Sequence, residues 1–183
     1  MSEFLNRLRS IKQKMLGQHP VYSVEPWRDP QQRDRIIRDF HGLYYDSFRD
    51  GKTWFDTRFL GIQVEKCPLD LWLYQELLFE LKPDLIIETG TRFGGSAHYL
   101  ASVCDLIGKG EVVTVDIDDS VVRPVHSRIT YITGSSIDHE ILERIRQMAR
   151  VTECVKVLLD SDNSRDHVMY EMNANSSKVT VNS

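Results

Sequence analysis

The strongest constraint on this chain is a change in the period of its apolar residues near Asp84. In the segment just before it, Pro68 to Leu81, they suit a helix. Leu85-Ile86-Ile87-Glu88 is instead a short continuous run that enters a glycine-rich turn, Gly90 to Gly95. Such a run marks a strand buried on both faces, the kind found in parallel sheets. The pattern then repeats. Helices are predicted over Gly95–Ile107, Ile137–Arg150 and Ser164–Met172, and strands over Val112–Asp116, Ile129–Thr133 and Val155–Asp160. Strands and helices alternating at this spacing predict an α/β fold, a parallel sheet with helices on both faces.

Upstream, Pro68-Leu69-Asp70 opens a helix that runs to Leu81 and ends at Lys82-Pro83. A helix over Gln31–Tyr45 should bury Ile36, Ile37, Phe40, Leu43 and Tyr44. Between them, 46–66 reads as a loop with aromatic anchors at Phe48, Trp54, Phe55 and Phe59, which either line a substrate mouth or pin the loop to the core. Residues 3–16 form a basic amphipathic stretch. It suits peripheral contact with an anionic membrane, packing on its own domain, or a second subunit. The predicted organisation is therefore 1–67, N-terminal helices and aromatic loop, and 68–183, the α/β domain.

Composition narrows the partners. The chain has 183 residues and a net charge of −4, with 23 Lys plus Arg against 27 Asp plus Glu. With no basic run, nucleic acid is excluded as a partner. No apolar stretch reaches the length of a membrane span. Cys67, Cys104 and Cys154 are scattered and lack metal-ligand spacing, so they read as reduced thiols of a cytoplasmic protein, two of them in the core.

The chemistry concentrates in Glu88-Thr89-Gly90-Thr91-Arg92-Phe93-Gly94-Gly95-Ser96, at the carboxyl end of the first predicted strand, where open α/β sheets bind ligands. Gly90 permits a sharp turn, and Gly94 and Gly95 allow close approach at the helix start. Ser96 is placed to cap free N–H groups. A dinucleotide site would carry Gly-x-Gly-x-x-Gly for a pyrophosphate. Here an acid, Glu88, precedes the first glycine, which disfavours phosphate and suits a cationic ligand such as S-adenosylmethionine. Asp116 ends the second strand, where a carboxylate can accept both ribose hydroxyls. Ser135, Ser136 and Asp138 follow the third, placed to read an adenine edge. The expected cofactor residues are thus Glu88, Gly90, Thr91, Gly94, Gly95, Ser96, Asp116, Ser136 and Asp138.

The stretch Lys82-Pro83-Asp84-Leu85-Ile86-Ile87-Glu88-Thr89-Gly90-Thr91 with Gly94-Gly95-Ser96 resembles the cephalosporin hydroxylase family. So do Pro68–Glu76 upstream and Leu158-Leu159-Asp160-Ser161-Asp162 with His167-Val168 downstream. The resemblance implies a Rossmann-like class I methyltransferase fold, related to catechol O-methyltransferase and shared with rhamnosyl O-methyltransferases. It implies methyl transfer from S-adenosylmethionine to a hydroxyl of a sugar or other small metabolite, assisted by Mg²⁺, in an oligomeric enzyme. Asp160, at the end of the fourth strand, is the implied metal ligand and catalytic residue, with Asp162 a weaker candidate. A hard cation on its oxygens would lower the pKa of a bound hydroxyl.

Two departures from the family follow. Asn163 stands where the pattern has His, and an amide is no general base; His167, one turn on, is the replacement candidate. The chain ends at Val179–Ser183, where the family's fifth strand, closing in a Glu-Asp pair of metal ligands, would begin. The resemblance therefore predicts a sheet truncated after its fourth strand, an incomplete Mg²⁺ site and self-association through the open edge. These departures favour an alternative, a non-catalytic cofactor-fold subunit serving a partner enzyme. An iron hydroxylase, which the family's name suggests, would need two His and a carboxylate on one iron face, and none of the six His forms a His-x-Asp pair.

Overall fold

The computed structural model describes residues 28–46, 53–161, 164–166 and 169–170. The chain divides into two compact units, Met1–Asp46 and Ser47–Ser183. Within the second unit, the segment before the second helix is braced internally, with the Val64 amide donating to the Thr57 carbonyl, and is joined to the sheet by the Lys66 ammonium on the Asp160 carboxylate.

In the first unit, helix α1 spans Pro30–His41 and runs on as a π-helical turn, Gly42–Asp46. The Asp29 carboxylate caps it by accepting from the Gln31 N–H at 3.0 Å, and Pro30 occupies the first helical position, where a missing N–H costs nothing. The expected buried stripe is not buried. Ile36, Ile37 and Phe40 are all more than two-fifths exposed and Leu43 is 73% exposed. On this face Phe40 and Tyr44 stack on each other, with ring centroids 5.4 Å apart. The predicted helix over 3–16 lies outside the described residues.

The second unit opens with a 3-10 turn, Trp54–Asp56, and an antiparallel hairpin of β1, Arg58–Phe59, and β2, Ile62–Gln63. This corrects the expected loop. Leu60 and Gly61 both have positive φ, 48° and 85°, as the tight two-residue hairpin turn requires. Leucine in its first position hid the turn from sequence reading. Phe59 packs edge-on against Tyr99, at 5.1 Å between centroids, and so anchors the hairpin to the sheet's helical cover.

Helix α2 is Pro68–Leu81, ended by Lys82 in the left-handed region. Then follow β3 Leu85–Thr89, α3 Gly95–Ile107, β4 Glu111–Asp116, β5 Ile129–Thr133, α4 His139–Arg150 and β6 Val155–Leu159. All four strands are parallel, in the order β5-β4-β3-β6. The order reverses between β3 and β6, so a crevice opens at their carboxyl ends. Alternate residues of β3 serve opposite faces. Ile86 joins Leu78, Ala97, Leu100 and Cys104 beneath α2 and α3, whereas Leu85 and Ile87 join Val113, Ile132 and Ile145 beneath α4. Leu142 and Ile145 are buried as expected, with Ile141 and Met148 partly so. The free thiols of Cys67 and Cys104 are buried. No helix among the described residues is long and apolar enough to cross a membrane.

Candidate functional site

A cavity of about 860 Å³ lies across the carboxyl ends of the strands. Of the expected residues, Gly90, Thr91, Ser96, Asp116, Ser136 and Asp160 line it.

The glycine turn is held by close packing within the chain. Gly90 has φ +86°, and a Cβ there would lie 2.2 Å from the Asp160 carbonyl oxygen, so only glycine lets β3 and β6 end side by side. At Gly95 a Cβ would lie 2.1 Å from the Gln63 carbonyl oxygen, which brings β2 onto the start of α3. Gly94, in the left-handed region, takes the N-cap position that Ser96 was expected to fill. The Ser96 hydroxyl instead donates to Glu88 Oε1 at 2.5 Å.

Glu88 does not face the cavity. It is fully buried, and its other oxygen accepts from the Thr114 hydroxyl at 2.8 Å. Thr114 is in turn 2.6 Å from the Thr91 hydroxyl, so three hydroxyls brace one carboxyl under the turn. Burial pushes its pKa up to about 7, against the lowering effect of the two hydroxyl donors. The correction follows from strand alternation, since Glu88 shares a face with Ile86, beneath α3.

Asp116 does reach the cavity. Its Oδ2 accepts from the Arg92 N–H at 2.6 Å and its Oδ1 from the Asp118 N–H at 3.0 Å. A carboxylate offers about four acceptor positions, and these two N–H groups take one on each oxygen. Ser135 and buried Ser136 line the same end, but Asp138 does not. Its carboxylate caps α4, accepting from the Glu140 N–H at 2.8 Å, which takes it from adenine recognition to a structural task.

At the other end, Asp160 stands at the cavity wall and accepts from the Lys66 ammonium. Burial works against the charge on Lys66, but Asp160, with Tyr74 and Glu88 nearby, raises its pKa above the ordinary lysine value. Glu65 also lines this end. Its Oε2 pairs with Arg92 Nε at 2.7 Å and its Oε1 accepts from Gln63 Nε2 at 2.9 Å. Both Glu65 and Arg92 have positive φ, 56° and 44°, a strained pairing of the kind found where geometry serves a site. Of the aromatic anchors, Trp54 lines the cavity, while the Phe55 ring lies 5.7 Å from the Arg92 guanidinium.

Sequence reading assigned no role to Lys66, Glu65 or Arg92 because their ion-pair partners lie far away in the chain. His167, Asp162 and Asn163 lie outside the described residues. Among the described residues no group of three His, Cys, Asp or Glu side chains could hold a metal. At Asp160 a single carboxylate is present, and the Lys66 ammonium is already on it.

Comparison with known proteins agrees with this architecture. Residues 51–183 match the family Rhamnosyl O-methyltransferase/CmcI. The rhamnosyl O-methyltransferase of Mycobacterium tuberculosis is 37% identical over 144 residues, covering 76% of this chain and 57% of that protein. That of Mycobacterium leprae is 38% identical over 143 residues, covering 76% and 61%. The chain thus spans about three-fifths of the length of these relatives. An apo structure of CmcI superposes with a TM-score of 0.56 at 20% identity, covering 74% of this chain and 60% of that one. A CmcI structure with Mg and SAM gives 0.54 at 22%, covering 63% and 50%. At such identities the likeness is one of fold.

Proposed function

The chain belongs to the rhamnosyl O-methyltransferase/CmcI family, and we propose that its α/β unit binds S-adenosylmethionine for methyl transfer to a hydroxyl of a small hydroxylated substrate. The observation that carries this reading is the distribution of carboxylates. Asp116 and Asp118 face the cavity at one end, and Glu65 and Asp160 at the other. Glu65 and Asp160 are paired with Arg92 and Lys66, while Asp116 and Asp118 make the other end acidic, which disfavours a pyrophosphate there and suits a nucleoside's ribose.

When bound, the cofactor supplies an electrophilic methyl group on a sulfonium. The open positions of Asp116 accept the ribose hydroxyls, and the loop of Ser135 and Ser136 borders the base. Glu65, already oriented by Gln63 and Arg92, takes the cofactor's ammonium, the task first expected of Glu88. Asp160 stands at the reacting end, where its carboxylate can accept a hydrogen bond from the substrate hydroxyl.

Mg²⁺ enters the proposal through Asp160, and through a relative whose structure carries it. A dedicated Mg²⁺ site needs several oxygens in octahedral array. One carboxylate paired with Lys66 does not provide them, so the described residues alone do not hold the ion. Cytoplasmic residence and self-association belong to the same proposal; the three free thiols suit a reducing compartment.

Titration calorimetry tests the cofactor. S-adenosylhomocysteine should bind and NADH should not; the reverse result would refute the proposal. Asp116→Ala should weaken binding by about 1.5–3 kcal/mol through the loss of charge-assisted hydrogen bonds. Unchanged affinity would remove Asp116 from the site.

A further inference from the structure

The wall at the nucleoside end includes a segment, 117–125, that has little apolar packing to hold it. Ile117 is 76% exposed, Val122 95% and Val125 98%. Yet Asp118 and Val121 from this segment line the cavity. Within the segment, the Arg123 side chain is only 9% exposed.

Its contacts converge on the site. Arg123 Nε donates to the Arg92 carbonyl at 3.0 Å, and Nη2 donates to the Asp118 carbonyl. Nη2 also lies 4.0 Å from Asp116 Oδ2, the oxygen that accepts from the Arg92 N–H. Arg123, Arg92 and Asp116 therefore close a ring of contacts that joins the segment, the glycine turn and the end of β4. Behind it, the guanidinium lies 5.7 Å from the centre of the Tyr131 ring, and the Tyr131 hydroxyl donates to the Pro124 carbonyl at 2.8 Å. Burial holds that phenol's pKa up at about 12, so it keeps its proton and this bond at neutral pH. Gly94 completes the seat: a Cβ there would come within 3.0 Å of both Pro124 and Tyr131.

We propose that Arg123 is a positioning residue for the cofactor's ribose, holding Asp116 and the 117–125 wall in register with the glycine turn. It acts through Asp116 and does not itself touch the ligand. The inference rests on the cofactor reading above. A lysine could keep the charge beside Asp116 but not the fixed fork that donates to both the Arg92 and Asp118 carbonyls.

A double-mutant cycle decides it, with S-adenosylhomocysteine affinity and thermal melting measured for the wild type, Arg123→Met, Arg123→Lys, Asp116→Ala and Asp116→Ala/Arg123→Met. Arg123→Met should weaken binding about tenfold or more, an effect of about 1.4 kcal/mol, and Arg123→Lys should restore part of it. In the Asp116→Ala background Arg123→Met should add less than about a further twofold. An equal loss in both backgrounds, or none in either, overturns the proposal. If Arg123→Met loses its cooperative melt, Arg123→Lys carries the same comparison, with and without Asp116→Ala. A wild-type chain that fails to bind S-adenosylhomocysteine refutes the cofactor reading and this inference with it, a result distinct from wild-type binding with unaffected variants.

Discussion

The ammonium of Lys66 rests on the Asp160 carboxylate, joining the segment before α2 to the end of β6 across 94 residues of sequence. The partners are unequally buried: the Lys66 side chain is 9% exposed and that of Asp160 43%. Removing the acid leaves a desolvated ammonium, whereas removing the lysine leaves a carboxylate that water can reach. Asp160→Asn should therefore cost about 2–4 kcal/mol and Lys66→Met only about 1 kcal/mol. The double variant should recover part of the Asp160→Asn loss. Urea unfolding measures all three, and the opposite ranking of the single variants would show that the pair is not held as described.

Glu65 should separate the two ends of the cofactor. Burial raises its pKa more than the neighbouring Arg92 and Gln63 lower it, so its charge is sensitive to what lies beside it. Glu65→Gln should weaken S-adenosylhomocysteine by about 1–2 kcal/mol and leave methylthioadenosine, which lacks the amino-acid part, unchanged. Equal weakening of both ligands would mean that Glu65 supports the wall and does not meet the ammonium.

Gly95 should tolerate no side chain. The added Cβ would meet the Gln63 backbone, which has no rotamer to yield. Gly95→Ala should lower stability by about 2–4 kcal/mol, toward the upper end of overpacking effects, and loosen the hairpin from α3. Denaturant unfolding with hydrogen exchange over 57–66 would detect both; a neutral substitution would place the hairpin elsewhere.

Glu88 makes stability depend on pH in a definite direction. Its folded pKa, about 7, is above the ordinary 4.5, so the folded chain binds the proton more tightly than the unfolded one. Its buried carboxyl is therefore tolerated fully below about pH 4.5, and stability falls as pH rises from there through 7. Glu88→Gln should flatten the unfolding free energy between pH 5 and 8. A profile that rises with pH in the wild type and persists in the variant would assign the titration to another group.

Much of the α/β unit was legible because local chemistry decides it. Pro68 and Lys82-Pro83 bound α2 at the predicted residues, and the period change at Asp84 marks β3. Gly94-Gly95 and Gly108 delimit α3, and the apolar face of α4 packs as its spacing required. Asp116 could be placed at a cavity because a parallel strand's last residue sits at the carboxyl end of the sheet whatever surrounds it. The hairpin was not legible, since Leu60 in the left-handed region departs from the usual turn residues.

Residue spacing by itself thus determined the order and type of the elements of the α/β unit and the strand ends at which a ligand could sit, because hydrophobic period and glycine or proline punctuation act within a few residues. The resemblance supplied the expectations of methyl transfer and of a metal role for Asp160. Only the tertiary structure decided which carboxylates face the cavity. Glu88 is sealed by Ser96 and Thr114, Asp138 turns to cap α4, and Glu65 and Asp160 stay on the wall with Arg92 and Lys66 as partners. A side chain's exposure, charge and direction are set by whatever packs against it, and at this site those neighbours lie up to 94 residues away.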